Sequence, residues 1–269
     1  ILVRKGEKDN PNNYRPISQL CAIGKLYEKC LLQVMQNNFG GSLPSSFQHG
    51  FRKNHSTVTA ALSIQNTIAK AMDSKKKVIV VSTDMSAAFD LLDKDVLLPR
   101  MLKMGIPKNL VEIYNDFLSG RKGYVQCGQS KSEEFDIPVG CVQGSPTVKM
   151  VAYADDFYLI FQGDTWDDVA NEASEKTAIA IEWLKKSGMV INAGKTEAAY
   201  FALRELSNPP KLNIDGVQIE LKKVLNVLGV LFDYRLKWDV HAEKVLKEAR
   251  RSTQALRHIH QHLSRSECL

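Results

Sequence analysis

Two adjacent carboxylates between two apolar segments are the feature that most restricts the fold of this chain. Asp155 and Asp156 are preceded by the segment 148–152 (VKMVA) and followed by the segment 157–161 (FYLIF). Short apolar runs of this kind, rich in β-branched and aromatic residues, are typical of two strands joined by a turn. The pattern therefore predicts a β-hairpin with the acidic pair at its tip.

A third carboxylate follows another predicted strand. Asp84 comes directly after the segment 78–83 (VIVVST), whose composition is typical of a strand buried on both faces. Carboxylates grouped at strand ends repel one another unless a divalent metal neutralises them. Two-metal phosphoryl transfer requires such a group, with the ions about 3.5–4 Å apart. An acidic pair at a hairpin tip is also ordinary turn chemistry, but the apolar flanks and the position of Asp84 favour the metal site.

Length and composition indicate a globular protein. The 269 residues, 44% of them hydrophobic, suffice for one elongated domain or two compact ones. No stretch approaches the roughly 20 apolar residues of a membrane span, and the apolar start at residues 1–3 is too short for a signal peptide. The chain does not begin with Met, so we expect it to be a piece of a longer polypeptide.

Charge and cysteine content are compatible with an intracellular protein and with a polyanionic partner. The formal net charge is +6, and the lysines and arginines form small dispersed clusters. Solvated surfaces produce the same pattern, so charge alone does not decide. The five cysteines lack Cys-x-x-Cys spacing, which argues against a disulfide framework or a zinc site. His258 and His262 share a helical face, but without a third ligand nearby a solvated helix end is the default.

Periodicity predicts a mixture of helices and strands. Helices are expected at 57–72, after Pro107, after the capping residue Thr165, and from Trp238 onward as a basic amphipathic helix. Short strands are expected around 124–127 and 135–139, a hairpin at Asp215-Gly216, and one strand over 224–232. These elements do not alternate as in βαβ units. The sequence therefore predicts an α+β fold in which an antiparallel sheet carries the carboxylates.

The chain also resembles the reverse transcriptases of non-LTR (LINE-type) retrotransposons. The resemblance rests on short motifs that stand in the family's order, namely 13–18 (NYRPIS) with 25–29 (KLYEK), 47–57 (FQHGFRKNHST), 84–90 (DMSAAFD), 140–146 (GCVQGSP), 153–156 (YADD), 192–196 (NAGKT) and 228–233 (LGVLFD). Each motif alone is weak. Seven in register cover nearly the whole chain and leave little room for chance.

This resemblance implies a right-hand polymerase fold and a reaction. It implies fingers at 1–75, an antiparallel palm sheet within 76–205, and a primer grip with the start of a helical thumb at 206–269. It also implies that Asp84, Asp155 and Asp156 bind two Mg²⁺ ions, with Mn²⁺ as an alternative. The implied partners are an RNA template, a DNA primer and deoxynucleoside triphosphates, with no membrane. The expected location is the nucleus and cytoplasm.

Further roles are implied for residues that match the family motifs. Arg15 and Arg52 suit triphosphate or template phosphate, because a guanidinium binds phosphate oxygens through a fixed fork of donors. Phe89 would lie under the incoming sugar and exclude a 2′-hydroxyl. A surface arginine and a core aromatic are the corresponding structural alternatives.

The remaining motif residues would contact the templating pair and the pyrophosphate. Gln143 would reach the pair from the minor-groove side, and Gly144 would let the backbone approach closely. Lys195 is the candidate proton donor to pyrophosphate, although Gly-Lys pairs are also common at strand ends. Asp90 is a weaker candidate for metal binding and is expected to cap the following segment.

One segment departs from the family pattern. Relatives carry a few dozen residues, including a helix beneath the active site, between the 140–146 motif and the acidic hairpin. Here Pro146 is followed at once by Thr147 and Val148. The sequence therefore indicates an internal deletion between Pro146 and Val148, which would uncover apolar palm surface.

Three functions follow from these observations. The favoured function is RNA-directed DNA polymerase, with this copy active or inactivated by the deletion. The alternative is a catalytically dead remnant that binds nucleic acid through phosphates. A palm-type nucleotide cyclase also uses carboxylates at strand ends, but the 14–18 and 51–53 segments argue against it. Target cleavage is not assigned to this piece, and its oligomeric state is left open.

Overall fold

The computed structural model describes residues 2–4, 14–16, 21–39, 47–50, 52–86, 93–127, 129–136, 150–153, 156–186, 190–191 and 196–260. Within these ranges the helices are α1 (Ala22–Phe39), α2 (Thr57–Asp73), α3 (Lys94–Lys103), α4 (Lys108–Leu118), α5 (Trp166–Lys185) and α6 (Asp239–His260). None of these helices has the length and apolar character needed to cross a membrane.

The strands are mostly short. They are β1 (Leu2–Arg4), β2 (Tyr14–Pro16), β3 (Lys77–Ser86), β4 (Lys122–Gly123), β5 (Gln126–Cys127), β6 (Ser130–Lys131), β7 (Phe135–Asp136), β8 (Met150–Tyr153), β9 (Asp156–Gly163), β10 (Val190–Ile191), β11 (Glu197–Phe201), β12 (Lys211–Ile214), β13 (Val217–Lys222), β14 (Val224–Val227) and β15 (Val230–Asp233). The combination of helices and a largely antiparallel sheet confirms the predicted α+β class.

The chain divides into two compact units. The first comprises Ile1–Ser46, Ala87–Gly144 and Ser187–Met189, and the second comprises Phe47–Ser86, Ser145–Lys186 and Val190–Leu269. In the first unit, α3 and α4 pack together around Met101, Ile106 and Leu110. The spacing of apolar residues along α4 predicts this packing, because residues three and four apart share a helix face.

The second unit is built on a seven-stranded sheet. Its strand order is β12-β13-β11-β3-β9-β8, and β10 also pairs with β3. The central strand β3 lies antiparallel to both β9 and β11. Residues 78–81 are fully buried, which explains why the predicted strand is apolar throughout rather than alternating.

Each face of this sheet packs against its own group of elements. Val78 and Val80 join a core formed with α2 and the β14–β15 hairpin. Ile79 and Val81 join a second core with α5. Successive strand residues point to opposite faces, so β3 contributes to both cores at once. Its register is therefore fixed from two sides.

The sheet has one feature that the sequence did not predict and one that contradicts the prediction. First, β11 and β13 run parallel, because β12 occupies the outer edge and β13 returns alongside β11. Second, the single strand expected over 224–232 is a hairpin, with β14 and β15 joined at Leu228 and Gly229. Both turn residues have positive φ, 52° and 90°. Leucine rarely adopts this conformation, so the apolar sequence concealed the turn.

Candidate active site

The predicted acidic hairpin is present in the second unit. Strands β8 and β9 pair antiparallel from Met150 opposite Leu159 to Tyr153 opposite Asp156. Tyr153 and Asp156 are therefore the last described residues on either side of the tip. Asp155 lies outside the described residues, and Asp156 is the first residue of β9 and half-buried.

The sheet brings Asp84 next to Asp156. In the antiparallel pairing of β3 with β9, Asp84 is directly opposite Asp156. Directly opposite residues have Cβ atoms about 4.5–5.5 Å apart and share a sheet face. The pair follows immediately after Thr83, the last buried residue described in this part of β3. Two of the three predicted metal ligands therefore meet at one end of the sheet, beyond the apolar core.

The donor chemistry of this end of the sheet fits a divalent cation. Like charges in directly opposite positions destabilise a strand pair, and a bound cation would offset that repulsion. Carboxylate oxygens are also the ligands that Mg²⁺ prefers. Among the residues that the structure describes, no three His, Cys, Asp or Glu converge on one point. Asp155 and the side chain of Asp84 fall outside that set.

The β14–β15 hairpin is bonded to the strand that carries Asp156. The backbone N–H of Leu228 donates a hydrogen bond of 3.1 Å to the Tyr158 hydroxyl. Tyr158 lies two residues after Asp156 in β9 and is only 2% exposed. The sequence reasoning did not identify Tyr158, because a tyrosine in an apolar strand resembles any other core aromatic.

A buried carboxylate fixes the turn between this hairpin and α6. Asp233, 7% exposed, accepts hydrogen bonds from the backbone N–H groups of Arg235 (3.0 Å), Lys237 (3.1 Å) and Trp238 (2.7 Å). The Trp238 ring packs edge-on against Phe232, with ring centroids 4.9 Å apart. The Asp233 side chain and this ring contact thus both help to hold the hairpin and the first turn of α6 together.

Arg52 lies in a loop that is anchored to the start of α2. His49, 9% exposed, shares a 3.0 Å hydrogen bond with Thr59, and its ring packs edge-on against His55 at 5.0 Å. Thr59 donates its hydroxyl hydrogen to the Ser56 carbonyl, so we infer that His49 Nδ1 is the donor. Burial, followed by the charges of His55 and Arg52, lowers the pKa of His49 below 6.5.

The other predicted site residues are described only in part or not at all. Arg15 lies in β2, opposite Val3, and belongs to the first compact unit. Its side chain is outside the described residues. Several other predicted residues lie entirely outside the described part of the chain, namely Phe89, Asp90, Gln143, Gly144, Lys195 and His262. Their roles stay predictions, as do the proposed fingers and palm boundaries.

Comparison with known proteins agrees with the motif order. Residues 3–232 match the family model "Reverse transcriptase (RNA-dependent DNA polymerase)". The chain is 26% identical to a probable RNA-directed DNA polymerase from transposon BS of Drosophila melanogaster, covering 96% of this chain and 32% of the relative. It is 25% identical to a probable RNA-directed DNA polymerase from transposon X-element of the same species, covering 87% and 28%.

The chain therefore spans about a third of the length of these relatives. Among solved structures, the telomerase of Candida tropicalis bound to a telomeric RNA fragment is similar, with 16% identity and a TM-score of 0.49. That similarity covers 71% of this chain and 36% of the telomerase chain. The match over residues 3–232 confirms the resemblance to non-LTR reverse transcriptases, and the chain belongs to the reverse transcriptase (RNA-dependent DNA polymerase) family.

Proposed function

We propose that this chain is the polymerase part of a retrotransposon protein that adds deoxynucleotides to a primer 3′-hydroxyl on an RNA template. The observation that carries the proposal is the directly opposite placement of Asp84 and Asp156 at the end of β9 that pairs with Tyr153. The family of the chain and the names of its relatives support the reaction. The expected location is the nucleus and cytoplasm, where such an element meets its RNA and its target DNA.

Three carboxylates would hold the metal ions. Asp84, Asp155 and Asp156 would bind two Mg²⁺, or Mn²⁺ in their place. When bound, such ions lower the pKa of the attacking hydroxyl and stabilise the leaving oxygen. The sheet itself supplies the rigidity, because β3 is buried on both faces directly before Asp84. Carboxylates on such a support keep their separation without extra entropic cost when metal binds.

The remaining motif residues would bind the nucleotide and the template. Arg15 and Arg52 would grip phosphate oxygens, and Phe89 would exclude a ribonucleotide by contact with its 2′-hydroxyl. Gln143, with Gly144 beside it, would contact the templating pair. Lys195 would protonate the departing pyrophosphate. For Arg52, the bond between His49 and Thr59 supports this role, because it ties the loop to the start of α2.

The shortened connection after Pro146 bears on the activity of this copy. The alignment with the transposon BS relative extends over 287 residues, more than the 269 of this chain. The relative therefore has residues at positions where this chain has none. This supports an internal deletion, which we place between Pro146 and Val148, where the family helix is expected.

Primer extension tests the proposed polymerase. The purified chain is given an RNA template, a DNA primer, deoxynucleotides and Mg²⁺, and is compared with Asp84→Asn and Asp155→Asn variants. Both variants should lose extension by a factor of about 10³ or more, because each removes a metal ligand. Asp164→Asn is the matched control, since Asp164 lies beyond the far end of β9 in a solvent-exposed pair with Lys76. Equal extension by all four proteins would contradict the proposal.

A nucleic-acid-binding remnant is the second candidate, and α6 favours it. Lys247, Arg250 and Arg251 are exposed along one surface of this helix, around Leu246. Such a basic face can bind phosphates without chemistry. The same assay, run with a filter-binding measurement, separates the candidates. RNA retention without extension in any of the four proteins would select the remnant.

A further inference from the structure

The turn of the β14–β15 hairpin is held by three polar contacts that lead to different parts of the unit. The Gly229 N–H donates to the Asn226 side chain within the hairpin, at 3.0 Å. The Gly229 carbonyl accepts from Lys244 of α6 at 2.9 Å. The Leu228 N–H donates to Tyr158 of β9 at 3.1 Å. Of these three, the Tyr158 contact is the one that reaches the strand bearing Asp156.

The backbone conformation of Leu228 indicates what the contact with Tyr158 does. Its φ of 52° lies in the left-handed region, which is costly for a bulky side chain. Such a conformation persists only where the surroundings enforce it, and it recurs at functional sites. Here the enforcement comes from the Tyr158 hydroxyl and from packing of Leu228 against the core that contains Tyr158.

The connection from Asp156 through Tyr158 to the hairpin turn is short and rigid. Tyr158 and Asp156 are two residues apart in β9, about 7 Å along the strand, and they face the same side of the sheet. Tyr158 is buried in the core that also contains Val80, Ile160 and Phe232. A residue in this position can transmit the location of the hairpin turn to the acidic end of the sheet.

We propose that Tyr158 is a positioning residue that sets the distance between the turn of the β14–β15 hairpin and the metal-binding carboxylates. The inference rests on the proposed function and on the primer grip that the family resemblance implies within residues 206–269, the range that contains this hairpin. The Tyr158 hydroxyl holds the turn in the strained conformation. The turn in its place sets the primer terminus over Asp84 and Asp156. Loss of the hydroxyl alone therefore loosens the primer terminus without disturbing the nucleotide side of the site.

The test uses Tyr158→Phe in the full chain, because this change removes the hydroxyl and keeps the ring. Tyr200→Phe is the matched control. Tyr200 is a buried tyrosine of the same sheet, 1% exposed, and its hydroxyl also accepts a backbone N–H, that of Leu206 at 3.4 Å. It packs in the core on the opposite face. Both variants lose one hydroxyl from one buried ring, but only one of those hydroxyls reaches the hairpin.

Three measurements are compared, namely amide hydrogen exchange at Leu228, the Kd for a primer–template duplex, and the kinetics of extension. In Tyr158→Phe we expect exchange at Leu228 to accelerate about tenfold, as for loss of one typical hydrogen bond. We expect weaker duplex binding and kcat reduced about 10- to 100-fold, with KM for deoxynucleotides unchanged. Tyr200→Phe should match the wild type in all three.

Two outcomes would overturn the inference. The first is unchanged Leu228 exchange in Tyr158→Phe. The second is an equal loss of duplex binding in both tyrosine variants, which would indicate general destabilisation. If the wild type itself extends no primer, the proposed polymerase activity fails, while Leu228 exchange and duplex binding still decide the role of Tyr158.

Discussion

At the scale of single residues, the register between β3 and β9 decides whether the carboxylates meet. A shift of one position would move Asp84 away from Asp156 and exchange the residues of the two cores. That exchange is prevented because Val80 and Ile160 are partners on the α2 side, while Val81 and Leu159 are partners on the α5 side. The apolar residues thus hold the acidic pair in place.

His49 makes the stability of the Arg52 loop depend on pH. Its pKa is lowered from 6.5 in the folded chain, by burial first and then by the charges of His55 and Arg52. Above the unfolded value both states are neutral, and the full stability is present. As the pH falls below 6.5, the unfolded chain binds the proton more readily than the folded chain. Stability is therefore lost as the pH falls from 6.5 towards the lowered pKa.

We expect the thermal midpoint of the wild type to fall between about pH 7.5 and about pH 5.5 by more than that of His49→Asn. Asparagine does not titrate and can still donate a hydrogen bond to Thr59. The measurement is Tm by circular dichroism at each pH. Parallel Tm curves for the two proteins would show that His49 does not contribute to the pH dependence.

At the scale of elements, the motif 228–233 connects the sheet to α6. Its hairpin turn is bonded to Tyr158, and its last residue, Asp233, holds the turn that begins α6. Leu236 and Trp238 adopt positive φ angles of 57° and 69° in that turn, so the backbone does not favour it by itself. The Asp233 carboxylate offsets this strain through three backbone hydrogen bonds.

Replacing Asp233 by Asn should therefore destabilise the chain although the side chains have nearly the same shape. Asn offers one oxygen acceptor where the carboxylate offers two, so at least one of the three backbone N–H groups loses its acceptor. The expected loss in the free energy of unfolding is about 1–3 kcal/mol, measured by urea denaturation.

The matched control for this prediction is Asp239→Asn. Asp239 is exposed in the first turn of α6 and should change the free energy by less than about 0.5 kcal/mol. Similar losses for both variants would mean that Asp233 acts through its charge near the helix start rather than through its buried hydrogen bonds.

The same elements show what could be predicted from sequence and what could not. Asp215-Gly216 predicted a hairpin, and Thr165 predicted a helix start, because these residue types provide the needed conformation or cap directly. Leu228 gave no such signal, since its positive φ is enforced by tertiary contacts. Tyr158 was missed for the same reason, because its role depends on a partner 70 residues away.

At the scale of the whole molecule, the acidic hairpin, the buried strand before Asp84 and the α+β class could all be predicted. Each depends on local composition and on motifs that stand in family order. The parallel pairing of β11 with β13 could not, because it depends on where the β12–β13 hairpin packs against the sheet and not on local composition. The connection after Pro146 is the one global departure that the sequence itself revealed.

That departure yields a prediction for the whole chain. In the family, the segment after the 140–146 motif includes a helix beneath the active site, and a missing packed helix leaves apolar surface exposed to water. Inserting the corresponding segment of the transposon BS relative between Pro146 and Val148 should raise both the thermal midpoint and the rate of primer extension. We expect a gain of about tenfold or more in extension, because small misplacements of catalytic groups cost about that much.

A glycine-serine insert of equal length at the same place is the matched control, because it restores the length of the connection without an apolar helix face. If the grafted segment acts by covering the palm, it should increase extension and stability while the flexible insert does neither. Equal gains from both inserts would mean that the connection is only too short. No gain from either insert would mean that the shortened connection does not limit primer extension or stability. Asp84, Asp155 and Asp156 would then have to be placed well enough for extension without the helix.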